Sequence, residues 1–170
     1  TSELAKNLGI NIVKLNEVDY IDLTIDGADE VDLNLNGIKG GGGALLFEKI
    51  VAAASEKVIW IVDSSKFVKK LGKFPLPVEV VPLAANHIIK RFKESGYSPV
   101  IRMNGSKIYI TDSGNEIIDL HLHEIEDSIK LEQEIKLIPG VVEVGLFNNF
   151  ADNVIIGKGN STEIISRKII

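Results

Sequence analysis

Residues 26–48 read DGADEVDLNLNGIKGGGGALLFE, and this stretch carries most of what the sequence predicts. Two carboxylates, Asp26 and Asp29, come first, and Lys39 stands directly before four consecutive glycines. Glycine loses more backbone freedom on folding than any other residue, so such a run indicates a backbone that must come close to a ligand. A predicted helix with Glu48 in its second turn follows, and helix N-termini favour anions. The stretch therefore predicts a site for an anionic small molecule with acid–base groups around it.

Apolar patterning on both sides of this stretch predicts an α/β unit. The segment VIWIV at 58–62 is apolar throughout, which is typical of a strand buried on both faces of a parallel sheet. The elements predicted before it are a helix end at 1–8 that stops at Gly9, strands at 11–15 and 20–25, and a helix at 44–55. Ligands of such sheets bind at the carboxyl ends of the strands, and Asp26 and Asp63 each follow such an end.

A second unit is predicted beyond the proline-rich segment KFPLPVEVVP at 73–82. Turns are expected at Asn104-Gly105 and Ser113-Gly114, and Asp127 is expected to cap a helix. The predicted elements are a strand at 78–81, a helix at 83–95, strands at 99–103, 107–111 and 116–121, a helix at 127–137 that stops at Pro139-Gly140, and a strand at 141–147. This order resembles a ferredoxin-like α+β unit.

The predicted fold class is therefore α/β, with two domains. Residues 1–74 plus 148–170 are expected to form a Rossmann-like domain around a parallel sheet, to which a last strand at 154–156 returns. Residues 75–147 are expected to form the smaller ferredoxin-like domain. Thr1 is not an initiator methionine and residues 1–8 look like the end of a helix, so we expect the chain to begin in the middle of a fold.

Composition narrows the classes of function. The chain has 170 residues, of which 45% are hydrophobic and 25% charged, as in globular proteins. A net charge of -5 argues against a nucleic-acid partner. No segment approaches the ~20 apolar residues of a membrane span, and no signal peptide is visible, so we expect a cytoplasmic protein without membrane contact. The absence of cysteine excludes thiol nucleophiles and thiolate metal sites.

Several motifs allow other interpretations. The segment from Asp32 to Gly37 matches the first half of a calcium loop, but Gly43 stands where the bidentate glutamate should be, so a polar turn is preferred. No G-K-[ST] follows the glycines, and Leu45 stands where a dinucleotide fingerprint needs its third glycine. A flexible linker is the plainer alternative to a ligand-binding turn. His121 and His123 share one face of a predicted strand, where surface histidines are preferred to a metal site.

The charged side chains of the stretch also allow a plain and a functional interpretation. Glu48 shares a helix face with Leu45 and Ala52, so partial burial would raise its pKa toward that of a general base. Asp26 and Asp29 either cap a turn or exchange protons with substrate hydroxyls. Lys39, and likewise Lys66, is either a solvated charge or a partner for an oxyanion or a phosphate.

Together these segments resemble one known family. DGADEVDLNLNGIKGGGGALLFEKI, VDSSKFVKKLGKFPLPVEVVP and IPGVVEVGLF are similar to ribose-5-phosphate isomerase, type A, and the resemblance runs through almost the whole chain. It implies interconversion of ribose 5-phosphate and ribulose 5-phosphate in the non-oxidative pentose phosphate pathway, without metal or cofactor. It also implies a small-molecule sugar phosphate as partner and a homo-oligomer, either a dimer or a tetramer. The resemblance agrees with the two-domain architecture predicted above.

The resemblance also assigns roles to residues. The catalytic residues it implies are Glu48 as general base, Asp26 and Lys39. The substrate-binding residues it implies are Asp26, Gly27, Ala28, Asp29, Lys39, Gly40, Gly41, Gly42 and Lys66. In the family a glycine, threonine and serine loop after the first strand also holds the substrate, and these 170 residues contain no such loop. Whether residues 1–170 alone turn over substrate is therefore left open, and a sugar-phosphate-binding regulator without catalysis is the alternative function.

Overall fold

The computed structural model describes residues 2–167, which form two main sheets and two small ones. In chain order the helices and strands are α1 (Ser2–Asn7), β1 (Ile21–Asp26), β2 (Glu30–Val31), β3 (Gly37–Ile38), α2 (Leu45–Ala53), β4 (Ser55–Asp63), β5 (Leu76–Val80), α3 (Ala85–Glu94), β6 (Pro99–Ile101), β7 (Met103–Asn104), β8 (Lys107–Ile108), β9 (Glu116–Leu120), α4 (Ser128–Lys136), β10 (Val141–Val144), β11 (Leu146–Phe147), β12 (Asn153–Lys158) and β13 (Ser161–Ser166). Short 3₁₀ helices span Leu15–Glu17, Ser64–Lys66 and Pro82–Ala84.

The first sheet has the order β1-β4-β12-β13. β4 pairs in parallel with β1 and β12, and β13 returns antiparallel to β12. The predicted return of the chain near residues 154–156 is therefore confirmed. Because β1 and β4 run in parallel, their carboxyl ends, Asp26 and Asp63, lie at the same edge of the sheet, where α/β proteins bind ligands.

The prediction that 58–62 is buried on both faces is wrong. Val58, Trp60 and Val62 are buried, whereas Ile61 between them is 52% exposed. Side chains alternate between the two faces of a strand, so one face of β4 packs into the core. The opposite face is only partly covered by residues 2–167, since Ile59 is half-buried and Ile61 is exposed.

The second sheet has the order β10-β5-β9-β6, and all its strands are antiparallel. Numbered within this unit, the strands lie in the order 4-1-3-2, with α3 and α4 as the two connecting helices, so the unit is ferredoxin-like. α4 begins where the sequence predicts, because the Asp127 carboxylate accepts the backbone N–H of Lys130 at 2.9 Å. The division into residues 1–74 plus 148–170 and 75–147 stays a prediction.

A third, three-stranded sheet of order β11-β3-β2 joins the two units next to the glycine turn. The sequence analysis missed β2 and β3, since two-residue strands have no periodicity to detect. It also missed β13, and it joined β10 and β11 into one strand at 141–147, whereas Gly145 separates them into different sheets. The strand predicted at 11–15 is wrong, because these residues form no strand and a 3₁₀ helix begins at Leu15.

Two clusters of buried side chains support this arrangement. The larger lies in the ferredoxin-like unit and includes Phe92, and the smaller lies beside the parallel sheet around Trp60 and Phe147, whose rings meet edge to face at 6.3 Å. No helix within the described residues has the length and apolar character needed to cross a membrane.

Candidate active site

Three charged residues of the predicted site meet at the carboxyl end of β1. Asp26 is the last residue of that strand, Lys39 follows β3, and Glu48 lies in the first turn of α2. The Lys39 ammonium lies 2.9 Å from Asp26 Oδ2 and 3.6 Å from Glu48 Oε1, and it donates to the Gly27 carbonyl at 2.5 Å. The structure therefore brings Asp26, Lys39 and Glu48 together, although 22 residues separate the first from the last in sequence.

Lys39 is a buried cation with partly exposed partners. Its side chain is only 4% exposed, whereas the side chains of Asp26 and Glu48 are 35% and 27% exposed. The Phe147 ring forms one wall, with its centroid 5.5 Å from the ammonium. A buried charge needs such partners because burial without them is costly. The two carboxylates still reach the surface, so a ligand can contact them and the cation together.

The pKa of Glu48 is raised above its usual value. Burial of the carboxylate is the largest cause, and the nearby charges of Asp26 and Asp29 add to it, while the Lys39 ammonium lowers the pKa and offsets part of the rise. A glutamate with a raised pKa is a stronger base than an exposed one. The predicted partial burial of this side chain is therefore confirmed.

The two oxygens of Glu48 have different surroundings. Oε1 faces Lys39, whereas Oε2 is buried and has no hydrogen-bond partner within residues 2–167. Most buried polar atoms are paired, and an unpaired carboxylate oxygen requires an explanation. A proton-accepting role supplies one, because a base oxygen already engaged by the protein would be a weaker acceptor.

The four glycines form a tight turn between β3 and α2. The Gly43 N–H donates to the Gly40 carbonyl at 2.9 Å, and the Gly41 N–H donates to Asp29 Oδ2 at 2.8 Å. Gly43 has a φ of +87°, and a side chain there would collide with Tyr109. At Gly42, by contrast, nothing lies within 4 Å of where a Cβ would be, so the backbone is open to a ligand. A structured turn replaces the flexible linker as the interpretation.

The remaining predicted residues lie near the same edge of the sheet, but their side chains do not belong to the cluster of Asp26, Lys39 and Glu48. Gly27 contributes its carbonyl to Lys39, while the Ala28 side chain is buried in the smaller core cluster. Lys66 ends the 3₁₀ helix that follows β4, where Asp63 caps the helix by accepting the Ser65 N–H at 2.8 Å. In the described part of the chain Lys66 makes no ion pair with Asp26 or Glu48, so the structure does not join it to the cluster.

The alternative metal sites have no geometric support. Asp32 Oδ1 accepts the backbone N–H groups of Asn34 and Asn36 at 2.8 and 2.9 Å, which is an Asx turn, as the sequence analysis preferred. Between residues 2 and 167, no group of three or more His, Asp and Glu side chains is placed to hold a metal ion.

The sequence analysis missed the residues that reach the glycine turn from the ferredoxin-like unit. Arg102 Nη1 donates to the carbonyls of Gly40 and Gly41 at 2.8 and 3.2 Å, and Asp119 pairs with the same guanidinium. The Tyr109 hydroxyl donates to the Gly42 carbonyl at 3.3 Å. Arg102 and Tyr109 lie 61 to 67 positions from the glycines they contact, Asp119 lies further along the chain, and none belongs to a motif, so the sequence alone offers no signal for them.

The fold and the site together define a class. The protein combines an α/β unit with a ferredoxin-like unit, and two carboxylates meet a buried lysine at the carboxyl edge of a parallel sheet beside a glycine turn, an arrangement typical of acid–base enzymes.

Comparisons with known proteins identify the family within this class. A sequence model described as ribose 5-phosphate isomerase A (phosphoriboisomerase A) matches residues 1–161. The ribose-5-phosphate isomerase A of Limosilactobacillus reuteri (strain DSM 20016) is 53% identical over 165 residues, which cover 97% of this chain and 73% of that protein. The ribose 5 phosphate isomerase A structure from Neisseria gonorrhoeae is similar with a TM-score of 0.91 and 44% identity, over 99% of this chain and 74% of that one.

A further similar structure is that of a ligand complex. It is a D-ribose-5-phosphate isomerase in complex with phospho-erythronic acid, with a TM-score of 0.93 and 41% identity over 98% of this chain and 74% of that chain. The chain belongs to the ribose 5-phosphate isomerase A family. The resemblance inferred from the sequence is thus confirmed, as are the fold class and the enzyme class.

Proposed function

We propose that the protein interconverts D-ribose 5-phosphate and D-ribulose 5-phosphate, with Glu48 as the base that moves a proton between two carbons. One observation carries the assignment of Glu48: its carboxylate and that of Asp26 converge on the buried ammonium of Lys39. Family membership supports the reaction, since the relatives named above are ribose-5-phosphate isomerases A. We place the reaction in the non-oxidative branch of the pentose phosphate pathway.

The proposed reaction is balanced by two proton movements. Glu48 removes the proton from C2 of the open-chain aldose and returns it to C1, and the hydroxyl proton on O2 moves to O1. Negative charge develops on oxygen in the enediolate between these steps. Each step is a proton transfer, so no electrons are exchanged and the reaction needs neither a redox cofactor nor a metal as its base.

The other residues of the cluster stabilise this charge and hold the sugar. Lys39 provides a cation where the enediolate oxygens form, and the turn of Gly40, Gly41 and Gly42 binds the substrate, with the Gly42 N–H as the open donor. Asp26 and Asp29 bind sugar hydroxyls and transfer the proton that opens the ring, with Gly27 and Ala28 lining the substrate. Asp26 contacts Lys39 at 2.9 Å, so the residue that binds the sugar hydroxyl lies beside the cation that stabilises the enediolate.

Three parts of the proposal rest on family membership more than on geometry. Lys66 binds the phosphate end of the substrate, at the same edge of the sheet as Asp26. The protein is cytoplasmic and forms a homo-oligomer, either a dimer or a tetramer. Its partner is a small-molecule sugar phosphate, which suits a net charge of -5 that disfavours nucleic acid.

The decisive test replaces Glu48 by glutamine in the complete protein. A positioned base contributes about 10²–10⁴-fold to the rate, so Glu48→Gln should lower kcat at least ~100-fold while KM for ribose 5-phosphate changes little. Formation of the ketose is followed by its absorbance. Glu56→Gln is the matched control, because Glu56 is an exposed carboxylate on β4, and it should keep kcat within about twofold of the original value. An unchanged kcat in Glu48→Gln would refute the assignment.

Isotope exchange separates an isomerase from a regulator that only binds sugar phosphates. In deuterated water the proton held by Glu48 exchanges with solvent, so ribulose 5-phosphate should carry deuterium at C1. A regulator would bind ribose 5-phosphate and return it without deuterium. No observation favours that second function, which needs the anion site but no base.

A further inference from the structure

Arg102 reaches from the ferredoxin-like unit to the glycine turn. Nε and Nη2 of its guanidinium donate to the Asp119 carboxylate at 2.9 and 2.5 Å, which fixes the plane of the group. Nη1 then donates to the Gly40 carbonyl at 2.8 Å and to the Gly41 carbonyl at 3.2 Å. The side chain is only 14% exposed, so these bonds are partly shielded from water.

These bonds determine which way two peptide groups face. In a trans peptide the C=O and the following N–H point in opposite directions, and no described peptide bond is cis. The Gly40 carbonyl is directed at Arg102, so the Gly41 N–H points the other way, toward Asp29 Oδ2 at 2.8 Å. The Gly41 carbonyl is also directed at Arg102, so the Gly42 N–H points away from it.

The Gly42 N–H is the donor that this arrangement makes available. Gly42 is exposed, and its amide has no hydrogen-bond partner in the part of the chain that the structure describes. The position of a Cβ at Gly42 is open space, so a ligand atom can approach the backbone there. A cation at the carbonyl end of a peptide also polarises it, which strengthens the N–H at the other end.

We propose that Arg102 is a positioning residue for the isomerisation: its guanidinium orients the Gly40–Gly41 and Gly41–Gly42 peptide groups so that the Gly41 N–H holds Asp29 and the Gly42 N–H faces the site. Arg102 does not touch the substrate and acts through the turn. Asp119 fixes the guanidinium, and Tyr109 holds the next carbonyl along the turn, that of Gly42. The ferredoxin-like unit thereby sets the direction of the Gly42 N–H, the donor that meets the enediolate, and of the Gly41 N–H that holds Asp29.

This inference rests on the proposed function and deepens it. Donors aimed at a developing charge stabilise the transition state more than the ground state. Arg102→Met should therefore lower kcat by about 10- to 100-fold, because loss of one such donor costs about 10²–10³-fold and a misoriented donor is only partly lost. KM for ribose 5-phosphate should change less than about threefold.

An anionic analogue gives a reading independent of turnover. Phospho-erythronic acid carries a carboxylate, whose two charged oxygens resemble the charged oxygens of the enediolate. Its affinity should fall in Arg102→Met by about the same factor as kcat/KM, measured by calorimetry. Arg102→Lys keeps the charge, but an ammonium lacks the planar set of guanidinium N–H groups that bonds Asp119 and both carbonyls at once. This variant should therefore show most of the same loss. In Arg102→Ala, millimolar guanidinium should restore part of kcat, and methylammonium should restore less.

A matched control separates positioning from simple destabilisation. The Thr111 hydroxyl donates to the buried carboxylate of Glu79 at 2.9 Å within the same unit and, within residues 2–167, makes no hydrogen bond to the turn. Thr111→Val should lower the Tm and leave kcat and analogue affinity within about twofold of the original values.

The proposal is overturned if Arg102→Met or Arg102→Lys keeps kcat and analogue affinity within about twofold of the original while its Tm falls. If Arg102→Met does not fold, Arg102→Lys decides by the same criteria. Failure of the proposed function is distinguishable, since the unaltered protein would then not convert ribose 5-phosphate at all.

Discussion

Two buried lysines differ in how fully hydrogen-bond partners surround them. Lys49 lies on α2, and Lys39 lies between β3 and the glycine turn. The Lys39 and Lys49 ammonium groups both lie near the Phe147 ring, 5.5 and 4.8 Å from its centroid. Both side chains are largely removed from water, at 4% and 8% exposure. Their hydrogen-bond partners, however, differ in number and in exposure.

Lys49 is saturated by the protein. Its ammonium donates to Glu132 and Glu143 at 2.8 Å each and to the carbonyls of Val144 and Leu146 at 2.7 Å each. These partners belong to α4, β10 and β11, so one side chain attaches α2 to the ferredoxin-like unit. The residue next to Lys49 is Glu48, and the attachment therefore also fixes the helix that carries the proposed base.

Lys39 lacks this saturation. One of its carboxylate partners, Glu48, lies 3.6 Å away, beyond normal hydrogen-bond length, and both carboxylates keep exposed surface. A buried cation surrounded on all sides can only stabilise the fold, whereas one with partly exposed partners can also bind a ligand. The comparison predicts that Lys49 matters for stability and Lys39 for the reaction.

The largest expected effect is on the stability of a Lys49 variant. Lys49→Met leaves Glu143 buried without its main partner, which costs about 3–5 kcal/mol of unfolding free energy. Urea denaturation measures this. Lys70→Met is the control, because its partners Glu124 and Glu126 are exposed, and it should not change stability measurably. An unchanged midpoint in Lys49→Met would show that its network is not structural.

The next effect is on the rate of a Lys39 variant. Lys39→Met removes the cation closest to Glu48, so kcat should fall about 10²–10³-fold, as for other losses of oxyanion stabilisation. Its stability loss should be smaller than that of Lys49→Met, because Asp26 and Glu48 remain partly exposed. The comparison fails if Lys39→Met unfolds the protein as severely as Lys49→Met while the folded fraction keeps its kcat.

A smaller effect concerns the pH dependence of the reaction. Burial raises the pKa of Glu48, so kcat/KM should fall with decreasing pH along a limb that lies above the ordinary glutamate value of 4.5. Lys39 favours the ionised carboxylate, so Lys39→Met should move this limb to higher pH. Lys49→Arg, which keeps the charge in the other network, should leave the limb in place.

The smallest effect is on stability in acid. Burial by itself would raise the pKa of Glu143, but the charge and hydrogen bond of Lys49, with further bonds from the Val144 N–H and Lys136, outweigh it and lower the pKa. A lowered pKa stabilises the fold above the unfolded value of 4.5, and this contribution is lost as pH falls through the folded pKa.

Urea denaturation between about pH 6 and about pH 3 tests this acid dependence. The contribution from Glu143 should be on the order of 1 kcal/mol and should vanish in Glu143→Gln. It should also shrink in Lys49→Met. If the free energy of unfolding falls equally with decreasing pH in Glu143→Gln and in the unaltered protein, Glu143 is not the source of this acid dependence.

Much of the fold could be predicted from local pattern. The helices α2, α3 and α4 and most longer strands follow from apolar periodicity, and the start of α4 follows from the cap at Asp127. Two of these predictions failed. Residues 11–15 contain the β-branched pair Ile12 and Val13, yet they form no ladder, and 58–62 is apolar throughout although one face of β4 is only partly covered. Burial depends on neighbouring layers, which a single segment does not encode.

The candidate site was predictable where its residues are close in sequence. Asp26, Asp29, Lys39, the glycine run and Glu48 fall within 23 residues, and their chemistry suggested acid–base work on an anion. Arg102, Asp119 and Tyr109 were not predictable, since they reach the turn from another sheet. Nothing local in the sequence distinguishes the saturated ammonium of Lys49 from the unsaturated one of Lys39.

The sequence by itself determined the family, the α/β architecture and the kinds of group in the site, because these follow from residue type, spacing and periodicity along the chain. Only the tertiary structure decided that Lys39 joins Asp26 to Glu48, that Lys49 attaches α2 to a distant unit, and that Arg102 orients the glycine turn. The physical reason is that burial, charge pairing and peptide orientation depend on distances between segments that are remote in sequence.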